Sequence, residues 1–167
     1  MALTVEDGTG KSDAESYISV ADADTFFSER GLTLWDTMLN EEKEQALRRA
    51  ADYMVQTYRG RWAGDRVSET QALDWPRSGV TVDGFEVSDD TVPIAVVRAC
   101  AELAFRGASG ELAADLDRVA LREKVGPIEV EYSEHGPQFK RYRAVDNLLA
   151  PYLRAGTSGL FRAVVRT

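Results

Sequence analysis

From Ile94 to Phe105 the chain is almost wholly apolar: Ile94, Ala95, Val96, Val97, Ala99, Cys100, Ala101, Leu103, Ala104 and Phe105 are broken only by Arg98 and Glu102. Such a segment is too short to span a bilayer, and as a helix it has almost no polar face, so a folded chain must wrap around it. It is the expected central helix, over residues 92 to 107, with Asp90 or Thr91 as its cap and Pro93 in its first turn. Arg98, Glu102 and Arg106 are each four apart and form one charged stripe, which faces solvent or an adjacent subunit. The apolar surface of residues 92 to 107, with that of residues 160 to 165, is expected to exceed what a lone subunit can cover, so copies or neighbouring proteins must shield the remainder.

Two further helices follow from periodicity. Ser19 is a good N-cap, with Asp22 three residues on. Val20, Ala23, Phe26 and Phe27 then share a face until Gly31, which predicts a helix over residues 20 to 30. Thr33 to Leu39 reads as a short helical turn carrying Trp35. Asn40 is the expected cap of a longer helix, 41 to 58, along which Leu47, Ala50, Ala51, Met54 and Tyr58 recur on one side. From Gly60 to Thr91 glycine and proline punctuate the chain, which predicts a loop with one short helix near Glu69 to Leu73, and Trp75 as an anchor pinning that loop to the core.

Beyond Gly110 the period changes to two. Val119, Leu121, Glu123, Val125, Ile128, Val130 and Tyr132 predict a β excursion within residues 119 to 142, and Val145 to Leu153 a last short helix that Pro151 kinks or ends. Residues 1 to 18 show no period and read as an extended arm. A Gly/Ser hinge after Arg154 leads to a tail holding Leu160, Phe161, Arg162, Val164 and Val165, which packs on its own domain or waits for a partner's groove. The expected class is therefore mainly α: a small helical bundle with a β-hairpin excursion and extended N- and C-terminal arms, one domain over residues 1–153 followed by a tail, 154–167. At 167 residues such a chain buries roughly 70% of its unfolded surface without any staple.

Chemistry is sparse. One cysteine and one histidine, Cys100 and His135, cannot build an ordinary zinc site, and they lie far apart in the sequence. Cys100 reads as a small buried residue. Gly8-Thr9-Gly10-Lys11-Ser12 resembles the end of a phosphate-binding loop, but Val5 stands where its first glycine belongs. Paired carboxylates such as Asp89 with Asp90, Asp115 with Asp117 and Glu129 with Glu131 sit in charged or loop-like settings and read as solvated surface. No catalytic, metal or cofactor site is expected. The N-terminus has no basic region and no apolar core of signal length, so the chain is expected to stay in a cytoplasm, away from membranes.

The net charge of -8 disfavours tight phosphate binding. Sixteen of the twenty basic residues are arginine, which suits ion pairs between subunits. One stretch interleaves rings and cations, Tyr58-Arg59-Gly60-Arg61-Trp62, and is the candidate contact for single-stranded DNA. The competing reading is a helix exit packed by its two aromatic residues.

Three segments carry a resemblance: Val5 to Gly10 continuing through Asp13-Ala14-Glu15-Ser16-Tyr17-Ile18-Ser19, then Gln71-Ala72-Leu73-Asp74-Trp75-Pro76-Arg77-Ser78-Gly79, and Glu123-Lys124-Val125-Gly126-Pro127-Ile128-Glu129-Val130-Glu131-Tyr132. Up to about Leu153 the chain resembles the head-tail connector, or adaptor, proteins of tailed bacteriophages, some of which carry a DnaT-like single-stranded-DNA-binding label. The resemblance implies a non-enzymatic neck subunit that assembles as a ring, usually a dodecamer. Such a ring sits between the portal protein and a stopper or tail-completion protein and has DNA only as passing channel content. It implies a place in the virion neck, reached from the host cytoplasm. It also implies portal docking through the C-terminal extension, hence through Leu160, Phe161, Arg162, Val164 and Val165. The alternative function is a single-stranded-DNA-binding module of DnaT-like type.

Overall fold

A computed structural model describes residues 3–113, 122–125, 128–131 and 141–154. Five α-helices and three two-stranded antiparallel pairs make up its elements, so the fold is mainly α. Helix α1 spans Val20–Ser28 and begins where Ser19 accepts the Asp22 N–H through its side chain, as its position before the apolar run predicts. Helix α2 is the single turn Thr33–Asp36. Helix α3, Asn40–Tyr58, starts one residue earlier than its sequence signal: Leu39 is the N-cap, its N–H held by the Glu42 carboxylate at 2.8 Å, and Asn40 is already helical.

Helix α4, Ile94–Ala108, packs along α3, and helix α5, Arg143–Leu149, packs on α4. The N-cap of α4 is Pro93 rather than Asp90 or Thr91, and no side chain caps it. Val96, Ala99, Cys100, Leu103 and Ala104 are fully enclosed by the chain itself. Apart from Ile94 at its start, which stays exposed, the central helix therefore does not carry the surplus of apolar surface expected from its composition, because α3 and α5 pack on it. Pro151 acts as predicted: α5 gives way to a 3₁₀ turn, Ala150–Tyr152.

The stretch from Gly60 to Thr91 contains no helix near Glu69 to Leu73. Instead it forms two minimal ladders, β1 (Asp65–Arg66) with β2 (Arg77–Ser78), and β3 (Thr81–Val82) with β4 (Phe85–Glu86). The second turns at Asp83 and Gly84, both at positive φ, a tight hairpin turn that glycine permits. The polar side chain of Gln71 explains the missing helix. Its amide donates to the carbonyls of Leu73 and Pro76, and its oxygen accepts the Ser68 N–H, so backbone groups that a helix would pair are taken by one residue. The β excursion is a hairpin of β5 (Arg122–Val125) and β6 (Ile128–Glu131), with Val125 paired to Ile128 across Gly126-Pro127.

The opening segment is extended but is not an arm. Ala14, Ser16, Tyr17 and Ile18 are buried, and Val5 bridges Ser16. The Tyr17 hydroxyl accepts the N–H groups of Asp74 and Trp75 at 2.9 and 3.2 Å, which ties the first residues to the tryptophan loop. Gly8, at φ +103°, passes so close to Asp90 that a Cβ there would meet its carbonyl oxygen at 1.9 Å. The residues expected to dangle form one wall of the core.

Candidate functional site

The Gly8 to Ser12 motif is a nest of backbone N–H groups, and the chain itself fills it. The buried Glu6 carboxylate accepts from Gly8 and Gly10 at 2.9 Å and from Lys11 at 2.8 Å. Lys11, the residue that would reach a phosphate, instead binds the Val5 carbonyl and Asp7. An internal carboxylate thus stands where a nucleotide phosphate would lie, and the loop is a structural clasp.

Cys100 is fully buried, 3.8 Å from the Ser16 hydroxyl, and burial pushes its thiol up to about 11, away from nucleophilic character. His135 lies outside the described residues, as do the carboxylates at 115 and 117 and the side chains of Glu129 and Glu131. Among the described residues no group of three His, Cys, Asp or Glu side chains could hold a metal ion, and no helix is long and apolar enough to cross a membrane.

The aromatic and cationic stretch at the end of α3 divides sharply. Tyr58 and Trp62 are core residues. The Tyr58 hydroxyl donates to Asp146 at 2.8 Å, and burial together with that bond pushes its ionisation well above the usual tyrosine range. Trp62 donates its indole N–H to the buried Asp74 and packs edge-on against Trp75. Neither ring has a free face, so the proposed stacking contact of Tyr58 and Trp62 with DNA bases is not formed here. Their two neighbours are different: Arg59 and Arg61 are exposed. Trp75 is fully buried against Trp62 and Tyr152, the anchor its position predicts.

Helix α4 carries the charged stripe as predicted, but its members part company. Arg106 bonds the carboxylate and the backbone carbonyl of Glu102 within the same helix, while Arg98 is exposed. The docking candidates Leu160, Phe161, Arg162, Val164 and Val165 lie outside the described residues. Uncovered apolar surface is instead found at Phe85 on the β3–β4 hairpin, 79% exposed, at Leu34 and Leu39 beside α2, 70% and 69%, and at Ile94, 61%. For Phe85, Leu34 and Leu39 the sequence signal was weak, since single hydrophobic residues in loops and short turns have no period to place them, whereas Ile94 begins the apolar run of α4 and only the fold leaves it uncovered.

Over residues 1–167 the chain matches the family described as "Putative DnaT-like ssDNA binding protein". The chain belongs to this family. No curated protein and no solved structure matches it. The match covers all the elements described above. The family description speaks of single-stranded-DNA binding and not of a connector.

Proposed function

We propose that the chain is a non-catalytic structural subunit of a tailed-phage neck, an adaptor that assembles as a ring between the portal and a stopper or tail-completion protein. The observation that carries this reading is the contrast between a core closed by the chain's own helices and the five large apolar side chains exposed among the described residues: Leu34, Leu39, Phe85 and Ile94, and to a lesser extent Val67. Monomers scatter single exposed hydrophobics freely, but side chains on the rigid β3–β4 hairpin and at helix ends suit contacts with neighbours. An acidic surface, net -8, also suits a channel through which DNA must slide. In this reading the tail from Arg154 onward docks on the portal, and Arg98 faces the next subunit.

The test is the mass of the purified chain alone and mixed with the portal protein of the same phage. A ring or a portal complex that Phe85→Ser with Ile94→Ser disrupts supports the reading. A monomer that ignores the portal at every concentration removes it.

A second reading, single-stranded-DNA binding, is favoured by the family description over the whole chain. With Tyr58 and Trp62 enclosed, it has to work through charge and not through stacked bases. Salt-dependent affinity for an oligonucleotide separates the two readings.

A further inference from the structure

Positive charge collects in one place on this acidic chain. Arg59 and Arg61 leave the end of α3, and the fold brings Arg154 beside them: its N–H donates to the Arg61 carbonyl at 2.7 Å, next to the bridge between Trp62 and Leu153. Arg66 and Arg77 stand behind. Arg77 is buried and its guanidinium is used up on the carbonyls of Ala63, Gly64 and Asp74, while Arg66 holds the Gln71 carbonyl. Arg154 lies near enough to Arg77 to oppose its charge.

Against these five arginines stand Asp65 and the buried Asp74, and Asp74 is already engaged, with Trp62 on one oxygen and Arg59 at 3.6 Å from the other. The three buried side-chain polar atoms that lack a hydrogen-bond partner among the described residues, Arg66 Nε, Asp74 Oδ1 and Trp75 Nε1, all belong to this cluster and its wall. Among the described residues the guanidiniums of Arg61 and Arg154 make neither a hydrogen bond nor an ion pair, Arg61 lying over the Tyr58 ring, 5.1 Å from its centre, while Arg59 turns its Nε towards Asp74 at 3.6 Å. A guanidinium is a planar fork of donors, the geometry that takes a phosphate oxygen pair.

We infer that Arg59, Arg61 and Arg154 form a clasp for the phosphodiester backbone of a single strand, reading charge and not base. The inference rests on the single-stranded-DNA reading and changes its chemistry. Tyr58 and Trp62 are the buried footing that sets the arginines in place, not the contact itself. Arg154 joins the site only through the fold, 93 residues beyond Arg61 in the chain.

The experiment is fluorescence anisotropy of the full chain with labelled oligo(dT), over a series of salt concentrations. Three phosphate contacts on a single strand predict a slope of log affinity against log salt of about -2. Arg61→Glu and Arg154→Glu should each weaken binding by about tenfold at about 50 mM salt and flatten that slope by about 0.7. Arg49→Glu, at an exposed arginine on α3 that takes no part in the clasp, should leave both unchanged. Oligo(dT) binding that survives Arg61→Glu and Arg154→Glu overturns the clasp while leaving the DNA-binding reading intact. No salt-dependent binding by the unaltered chain overturns both. Polyglutamate binding more tightly than oligo(dT) at equal charge overturns the assignment to nucleic acid in favour of an acidic protein partner.

Discussion

Helix α4 and the buried part of the tryptophan loop, Gln71 to Arg77, satisfy their backbones by opposite means. In α4 the polar groups pair within the helix, so Val96, Leu103 and their neighbours need only fill volume against α3 and α5. The loop has almost no ladder of its own. Its carbonyls and N–H groups are met one at a time by side chains: Gln71 serves Leu73 and Pro76, Arg77 serves Ala63, Gly64 and Asp74, and Tyr17 serves Asp74 and Trp75. A buried loop is therefore a set of single points of failure, whereas a buried helix spreads its stability over shape. The lesson extends to function, because the arginine patch is built on the loop side of the molecule and depends on that network for its shape.

The sharpest way to break this contrast is a pair of substitutions of similar volume. Arg77→Met keeps bulk but strands three carbonyls, that of Asp74 buried and those of Ala63 and Gly64 half-buried, and should lower the unfolding free energy by about 4 kcal/mol, at about 1–3 kcal/mol for each group left unmet. Leu103→Met in α4 should cost less than about 1.5 kcal/mol. Equal losses in denaturant titrations would abolish the distinction.

Tyr17→Phe comes next. It removes one oxygen that accepts two N–H groups of the loop, and a loss of about 2 kcal/mol is expected. A change below about 0.5 kcal/mol would mean that the opening segment is only draped on the loop. Ser19→Ala tests the helical side in its own terms. There a lost cap frays one end of α1, for about 1 kcal/mol, with the rest of the bundle unmoved.

The smallest effect is one of sign. Burial raises the carboxyl of Asp74 above the usual aspartate range, despite the opposing pull of Arg59. A group whose folded value lies above its unfolded one loses stability as pH rises from the unfolded value through the folded one. Asp74→Asn can still accept the Trp62 N–H, so its stability should not show that decline. The variant should gain on the parent as pH rises towards neutrality, and the two curves should meet below about pH 4. A parent whose stability instead rises relative to the variant over that range would show that Arg59 outweighs burial.

Much of this fold was legible in the residues. The run of Leu47, Ala50, Ala51, Met54 and Tyr58 placed α3 and, read consistently, already put Tyr58 inside, so its burial follows from the same period that located the helix. Trp75 before Pro76 marked the anchor. What escaped notice was polar. Glu6 just ahead of Gly8 and Gly10 was a usable signal for a self-filled nest, because a carboxylate next to two glycines can be wrapped by their N–H groups. The helix expected at Glu69 to Leu73 was lost to Gln71, whose side chain competes with the backbone it would have joined.

The sequence by itself determined the main helices, their buried faces and membership of the DnaT-like family, because each is written in spacings of a few residues or in the whole run of the chain. Only the tertiary structure decided that the opening segment walls the core, that Trp62 is spent inside against Asp74, and that Arg154 completes a basic patch. Those outcomes depend on contacts between residues 57 apart, as Tyr17 and Asp74 are, or 88 apart, as Tyr58 and Asp146 are. Local periodicity carries no information about which distant hydroxyl, carboxylate or carbonyl will arrive to satisfy a buried group, since that pairing is chosen by the packing of the whole core.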